Sequence, residues 1–103
     1  MDKLALLTEI LTHDPTNAFA RYGLAMELVS QGKIPEGLAE FERCIADNPD
    51  YVPAYQMSAQ TMAANANPAG AIARLHEGIG TANRTGNQHA LAEMEALREE
   101  LTA

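Results

Sequence analysis

The sequence predicts an all-α fold, a helical solenoid of about six short helices, and three observations carry that expectation. Slid by 34 residues, the chain falls on a weaker copy of itself: Ala20 meets Ala54, Ala25 meets Ala59, Ala39 meets Ala73 and Ile45 meets Ile79. A self-match at this period marks stacked helix pairs, none of which buries its apolar face alone. Proline, glycine and asparagine punctuate the apolar runs where helices start and stop. Apolar residues make up 47% of the chain but aromatics only 5%. Much of the remainder is alanine, the best helix former and small enough for close helix approach. Valine and isoleucine are few and no alternating run occurs, so strands are not expected.

The first helix is expected over residues 2–13. Leu4, Leu7 and Leu11 mark its stripe, and Leu6 and Ile10 widen it to roughly 160° of arc. His13 falls at its exposed end and Pro15 stops it. The second helix starts after Thr16, whose hydroxyl can cap the first turn, and runs to about Ser30. Leu24, Ala25 and Leu28 form its buried stripe, with Arg21 at the N-terminal end of that face, and Gly32 is the left-handed stop. Pro35 opens the third helix at a position where its missing amide costs nothing. Leu38, Phe41, Cys44 and Ile45 share one apolar face there, Glu36, Glu40, Glu42 and Arg43 lie outside, and Asn48-Pro49 ends it.

The second copy follows. Asp50 caps a fourth helix that carries Tyr55, Ala59 and Met62 at the positions of Arg21, Ala25 and Leu28. Asn67-Pro68 is a cap followed by a first-position proline for the fifth helix. Ile72, Leu75 and Ile79 face inward on it, and Gly78 stands where Cys44 stands in the first copy. Gly78 and Gly80 are poor helix residues, so their presence points to close helix approach, with local looseness as the alternative. Residues 82–87 read as a turn. A sixth helix runs from Gln88 to Leu101 with Ala90, Met94, Leu97 and Leu101 as its stripe. Its register fits an offset of 35, which one extra residue in the preceding turn would produce.

Composition and motifs exclude most chemistry. At 103 residues the chain is one domain, and a net charge of −7 with scattered lysines and arginines argues against nucleic acid. No window approaches the roughly 18 apolar residues of a membrane span. The N-terminus has neither the basic start nor the small-residue cleavage site of a signal peptide, so a soluble, cytoplasmic chain is expected. Low lysine beside abundant alanine and arginine points weakly to a GC-rich bacterial source. His13, His76 and His89 come from three elements and lack ligand spacing, so no metal or other cofactor is expected. His76 and Glu77 are adjacent on one helix and point apart. Gly78-x-Gly80 lies inside a helix without the rest of a phosphate loop. Cys44, the single cysteine, excludes an internal disulfide and reads as a buried, inert thiol. No catalytic residue emerges, and the chain is not expected to be an enzyme.

These residues resemble the tetratricopeptide repeat family, whose unit is two antiparallel helices closed by a proline. In the first copy the match is Leu24, Ala25, Leu28, Gly32, Gly37, Phe41, Cys44 and Pro49, with Arg21 replacing an aromatic residue. In the second it is Tyr55, Ala59, Met62, Ala71, Leu75 and Gly78, with Asn83 replacing the proline. The resemblance implies a right-handed α-α superhelix. Residues 2–13 would be a half repeat, 18–49 and 52–83 two full repeats, and 87–102 a capping helix.

It also implies a non-catalytic module that binds a protein partner, a peptide or a helix, in a concave groove lined by the first helix of each pair. The corresponding slots are Phe19, Tyr22, Met26 and Val29 in the first repeat and Gln56, Gln60 and Ala63 in the second. Leu91 and Glu95 follow on the last helix. The alternative for Phe19 and Tyr22 is that both fold onto the first helix and finish the core. Some members hold a C-terminal carboxylate with a Lys/Asn/Arg clamp. Here those slots are Tyr22, Met26 and Met57, so the clamp is absent. A second functional reading is a structural subunit that forms homodimers through Leu6 and Ile10 of the first helix.

Overall fold

In the computed structural model, which describes residues 2–103, the helices are α1 (Lys3–His13), α2 (Ala18–Ser30), α3 (Ile34–Asp47), α4 (Val52–Ala64), α5 (Pro68–Thr85) and α6 (Gln88–Thr102). Short polar side chains start four of them. Asp2, Asn17, Asn67 and Asn87 each accept from a backbone amide three residues on, at 2.7, 2.8, 3.0 and 3.1 Å. Each satisfies one of the donors that a helix start leaves unpaired. The expected cap of α2, Thr16, is corrected to its neighbour Asn17. Asn17 also donates to Asp14 at 3.1 Å, which closes the α1–α2 turn.

The repeat is visible in the turns. Lys33 N donates to Leu28 O and, 34 residues on, Asn67 N donates to Met62 O, both at 2.9 Å. Asn87 N to Ala82 O at 2.9 Å closes the α5–α6 turn in the same way. This six-residue closure needs a left-handed residue inside the turn. Gly32 and Gly86 supply it at φ 80° and 77°, whereas the second repeat uses Ala66 at φ 61°. An L-residue there costs about 1–2 kcal/mol, partly offset by the lower chain entropy of alanine. Ala66→Gly is therefore expected to stabilise the chain by about 1 kcal/mol, read as a higher urea midpoint with unchanged slope.

The turn expected over 82–87 is also corrected. The α5 helix continues to Thr85, and only Gly86 and Asn87 separate it from α6. Ala82 is fully buried in a cluster with Val52, Ala59, Leu75, Ala90 and Met94. That burial holds the helical turn in which Asn83 and Arg84 face outward. Thr81 and Thr85 hydroxyls donate to the carbonyls four residues back, at 2.9 Å each.

The chain divides into two compact units, one ending at Tyr51 and one running Val52–Ala103. In the first, Leu7, Leu11 and Ala20 cluster with Leu24 between α1 and α2. Phe41 and Cys44 of α3 and Ala25 of α2 are fully buried. In the second, Ile79, Leu91, Leu97 and Leu101 pack around the alanine-rich cluster just described. Gly78 is buried as expected: a Cβ there would lie 2.7 Å from Met94 Sδ and 2.8 Å from Tyr55 Cβ. Gly80 is different, because a Cβ there would meet nothing.

Arg21 stands at the N-terminal end of the buried face of α2, as the sequence implies. It is buried, and its guanidinium donates to Glu40 at 2.9 Å and to the Pro15 carbonyl at 2.8 Å. Glu40, expected on the outer face of α3, has a side chain only 16% exposed and is the partner of this buried cation. One side chain thus ties the α1–α2 turn, α2 and α3 together.

Candidate protein-interaction site

One face of α2 is only partly covered by its neighbours. Ala20 and Leu24 turn toward α1, and Ala25 and Arg21 are buried on the other side. Between these flanks stand Phe19, Tyr22 and Met26, close together at about 100° per residue. Phe19 is 75% exposed, the most exposed large apolar side chain described. Phe19 is therefore not folded into the core. Tyr22 is half-buried, with its ring 6.0 Å from Phe41 and 5.7 Å edge-on to Tyr51, and it also faces the same surface.

Beside Phe19 lies a half-enclosed depression of about 280 Å³, lined by Lys3, Leu7, Phe19, Tyr22, Gly23 and Met26. Gly23 lets Leu7 come close at its floor: a Cβ there would lie 3.1 Å from Leu7 Cδ2. Lys3, Leu7 and Gly23 were not among the residues expected here. Leu7 reads as core from its stripe, and Gly23 carries no pattern of its own. Val29, which was expected, is turned elsewhere. A Cβ on Gly37 would lie 2.6 Å from Val29 Cγ2, so Val29 occupies the space over the glycine of α3. At the matching positions of the second repeat the pair is Ala63 and Ala71, two small side chains in place of one large and none.

A wider hollow of about 470 Å³ lies at the end of α3, between Ala18 and the turn Asp47–Tyr51. It is more open to solvent, and its walls are less apolar than those of the depression on α2.

In the second unit the expected residues are mixed. Gln60 and Glu95 are exposed, and Ala63 is half-buried. Gln56 donates to Glu93 at 3.3 Å, and Glu93 lies 3.0 Å from His89. Leu91 is half-buried against the core cluster. On α1, Leu6 and Ile10 are 50% and 38% exposed.

Cys44 is fully buried, with Sγ 3.5 Å from the Ala18 carbonyl. Burial pushes its thiol up to about 11, against an opposing pull from Arg21. The phenols of Tyr22 and Tyr51 are raised as well, chiefly by burial. A raised folded value favours the neutral form, so this stability is complete below pH 9.0, the ordinary thiol value, and is lost as pH rises through about 11. The urea midpoint is expected to fall between those limits, and less steeply in Cys44→Ala. An equally steep fall in the variant would assign the loss to other groups. Among the described residues no group of three His, Cys, Asp or Glu converges as a metal site. No described helix is long and apolar enough to cross a membrane.

Helix pairs repeated at 34 residues, closed by matching turns, define an all-α helical repeat of the tetratricopeptide type. No family model matches the sequence, and no curated protein matches it. Solved structures do. The fold is similar to a tetratricopeptide repeat domain protein of Salinibacter ruber, with TM-score 0.79 and 29% identity, covering 84% of this chain and 88% of that one. It is similar to PcrH, solved in complex with the chaperone binding region of PopD. There the TM-score is 0.88 at 15% identity, covering 96% and 75%. It is also similar to the TPR2B domain of yeast Sti1 in its pHsp70 complex, with TM-score 0.88 at 22% identity, covering 96% and 79%.

Proposed function

We propose that this chain is a non-catalytic protein-interaction module that takes a peptide or partner helix on the open face of α2. The observation that carries this reading is Phe19, 75% exposed beside a half-enclosed, largely apolar depression. An exposed aromatic next to an apolar hollow is an unfavourable arrangement for an isolated surface and a favourable one for docking. The similarity to PcrH with PopD and to Sti1 with pHsp70 supports it, since both are proteins of this fold in complex with protein partners. Phe19 and Met26 would anchor an apolar side chain of the partner.

Affinity capture with wild type and with a Phe19→Ala, Met26→Ala double variant tests this. Loss of two such anchors is expected to weaken specific partners at least about thirtyfold. If both proteins recover the same partners equally, the docking reading is wrong. A second reading, self-association through α1, is favoured by the exposure of Leu6 and Ile10. Leu6→Glu is its direct probe, read by sedimentation.

A further inference from the structure

The docking face carries a projection and a hollow side by side, and its rim carries one charge of each sign. Phe19 projects into solvent. The depression beside it is walled by Leu7, Tyr22, Gly23 and Met26. Lys3, at the rim, holds its ammonium 4.0 Å from Glu27, with side chains 70% and 23% exposed. The apolar surface continues onto α1. Ile10 lies about 60° round that helix from Leu7, on the Lys3 side, and Leu6 about 40° further.

A two-fold interface requires one surface patch to be complementary to itself. We infer that this face is such a patch, and that a second copy of the chain covers it when no partner is bound. Phe19 of each copy enters the other's depression, and Lys3 of each faces Glu27 of the other. The inference rests on the reading of this face as the docking site, and it adds a regulation: partner binding and self-association exclude each other. One face of two short helices belongs to the small-interface class, so the dimer is expected to dissociate at tens to hundreds of micromolar. The net charge of −7 opposes association at long range, so added salt is expected to strengthen the dimer.

Sedimentation equilibrium of the full chain from about 10 to about 500 µM tests the proposal across that affinity range. Wild type is expected to show a monomer–dimer equilibrium, and Phe19→Ala, a change at an exposed site, to remain monomeric. Lys3→Glu alone and Glu27→Lys alone are each expected to weaken dimerisation at least about tenfold, because each places like charges across the interface. An equimolar mixture of the two single variants is expected to recover it, since both crossed pairs are then attractive. A purely internal Lys3–Glu27 pair cannot produce that recovery.

A strictly monomeric wild type at the highest concentration overturns the inference. So does a mixture that associates no better than its components, or a dimer that survives Phe19→Ala and is lost in Leu6→Glu. Should wild type be monomeric while the Phe19, Met26 variant still loses its partners, the dimer fails and the docking reading stands. Dimerisation without any partner loss in that variant gives the opposite outcome: the face serves self-association alone, and the mutual exclusion is refuted.

Discussion

Arg21→Ala is expected to destabilise the chain by about 3–5 kcal/mol, the range for breaking one side of a buried ion pair. The side chains of Arg21 and Glu40 are 8% and 16% exposed and meet at 2.9 Å. Removing the guanidinium leaves Glu40 shielded from water with only Arg43, at 3.5 Å on the exposed side, to answer it. It also frees the Pro15 carbonyl, which anchors the turn before α2. Urea unfolding of Arg21→Ala, Glu40→Ala and the double variant measures the coupling. The double variant should be clearly more stable than the sum of the single losses predicts, because neither charge is then stranded. A cost below about 1 kcal/mol for Arg21→Ala would place the pair with surface salt bridges and refute the clasp. Pairing also explains why arginine can stand where the second repeat keeps Tyr55: the anchor is ionic in one repeat and aromatic in the other.

The two neighbouring glycines of α5 are expected to respond in opposite directions. Gly78→Ala should cost about 1–3 kcal/mol, because the new methyl meets Met94 Sδ and the stiff Cβ of Tyr55 inside van der Waals distance. Met94 can move its sulfur, but Tyr55 Cβ moves only with the α4 backbone. Gly80→Ala meets open space and should stabilise by up to about 1 kcal/mol through helix propensity alone. Thermal or urea unfolding of both variants settles the pair, and a stabilising Gly78→Ala would show that α4, α5 and α6 are not in close contact at that point.

Much of the local structure was legible because it depends on residues a few positions apart. Asn67-Pro68 starts α5, Gly32 ends the turn after α2, and Asn48 ends α3, as the pattern implies. Three other features escaped. Asn17 displaced Thr16 as the cap because α2 starts at Ala18 and the Asn17 oxygen reaches the Ala20 amide. The α5 helix ran through Asn83-Arg84-Thr85 because Ala82 is needed in the core. Glu40 turned inward because a buried arginine waited for it. In the candidate site, Phe19 and Tyr22 could be picked out as lying off the buried stripe. Lys3, Leu7 and Gly23 could not, since they come from another helix or have no side chain to read.

By itself, then, the sequence determined the helices, their 34-residue recurrence and the class of fold, because capping, propensity and apolar period act within one or two turns of chain. Tertiary structure decided which side chains of those helices remain available. Val29 and Phe19 are both apolar residues of α2, about 80° apart around it, and both lie off the expected buried stripe. One sits over the bare backbone of Gly37 and the other is left largely exposed. That difference arises from the residue opposite, far away along the chain, and only the packed helices bring it into view.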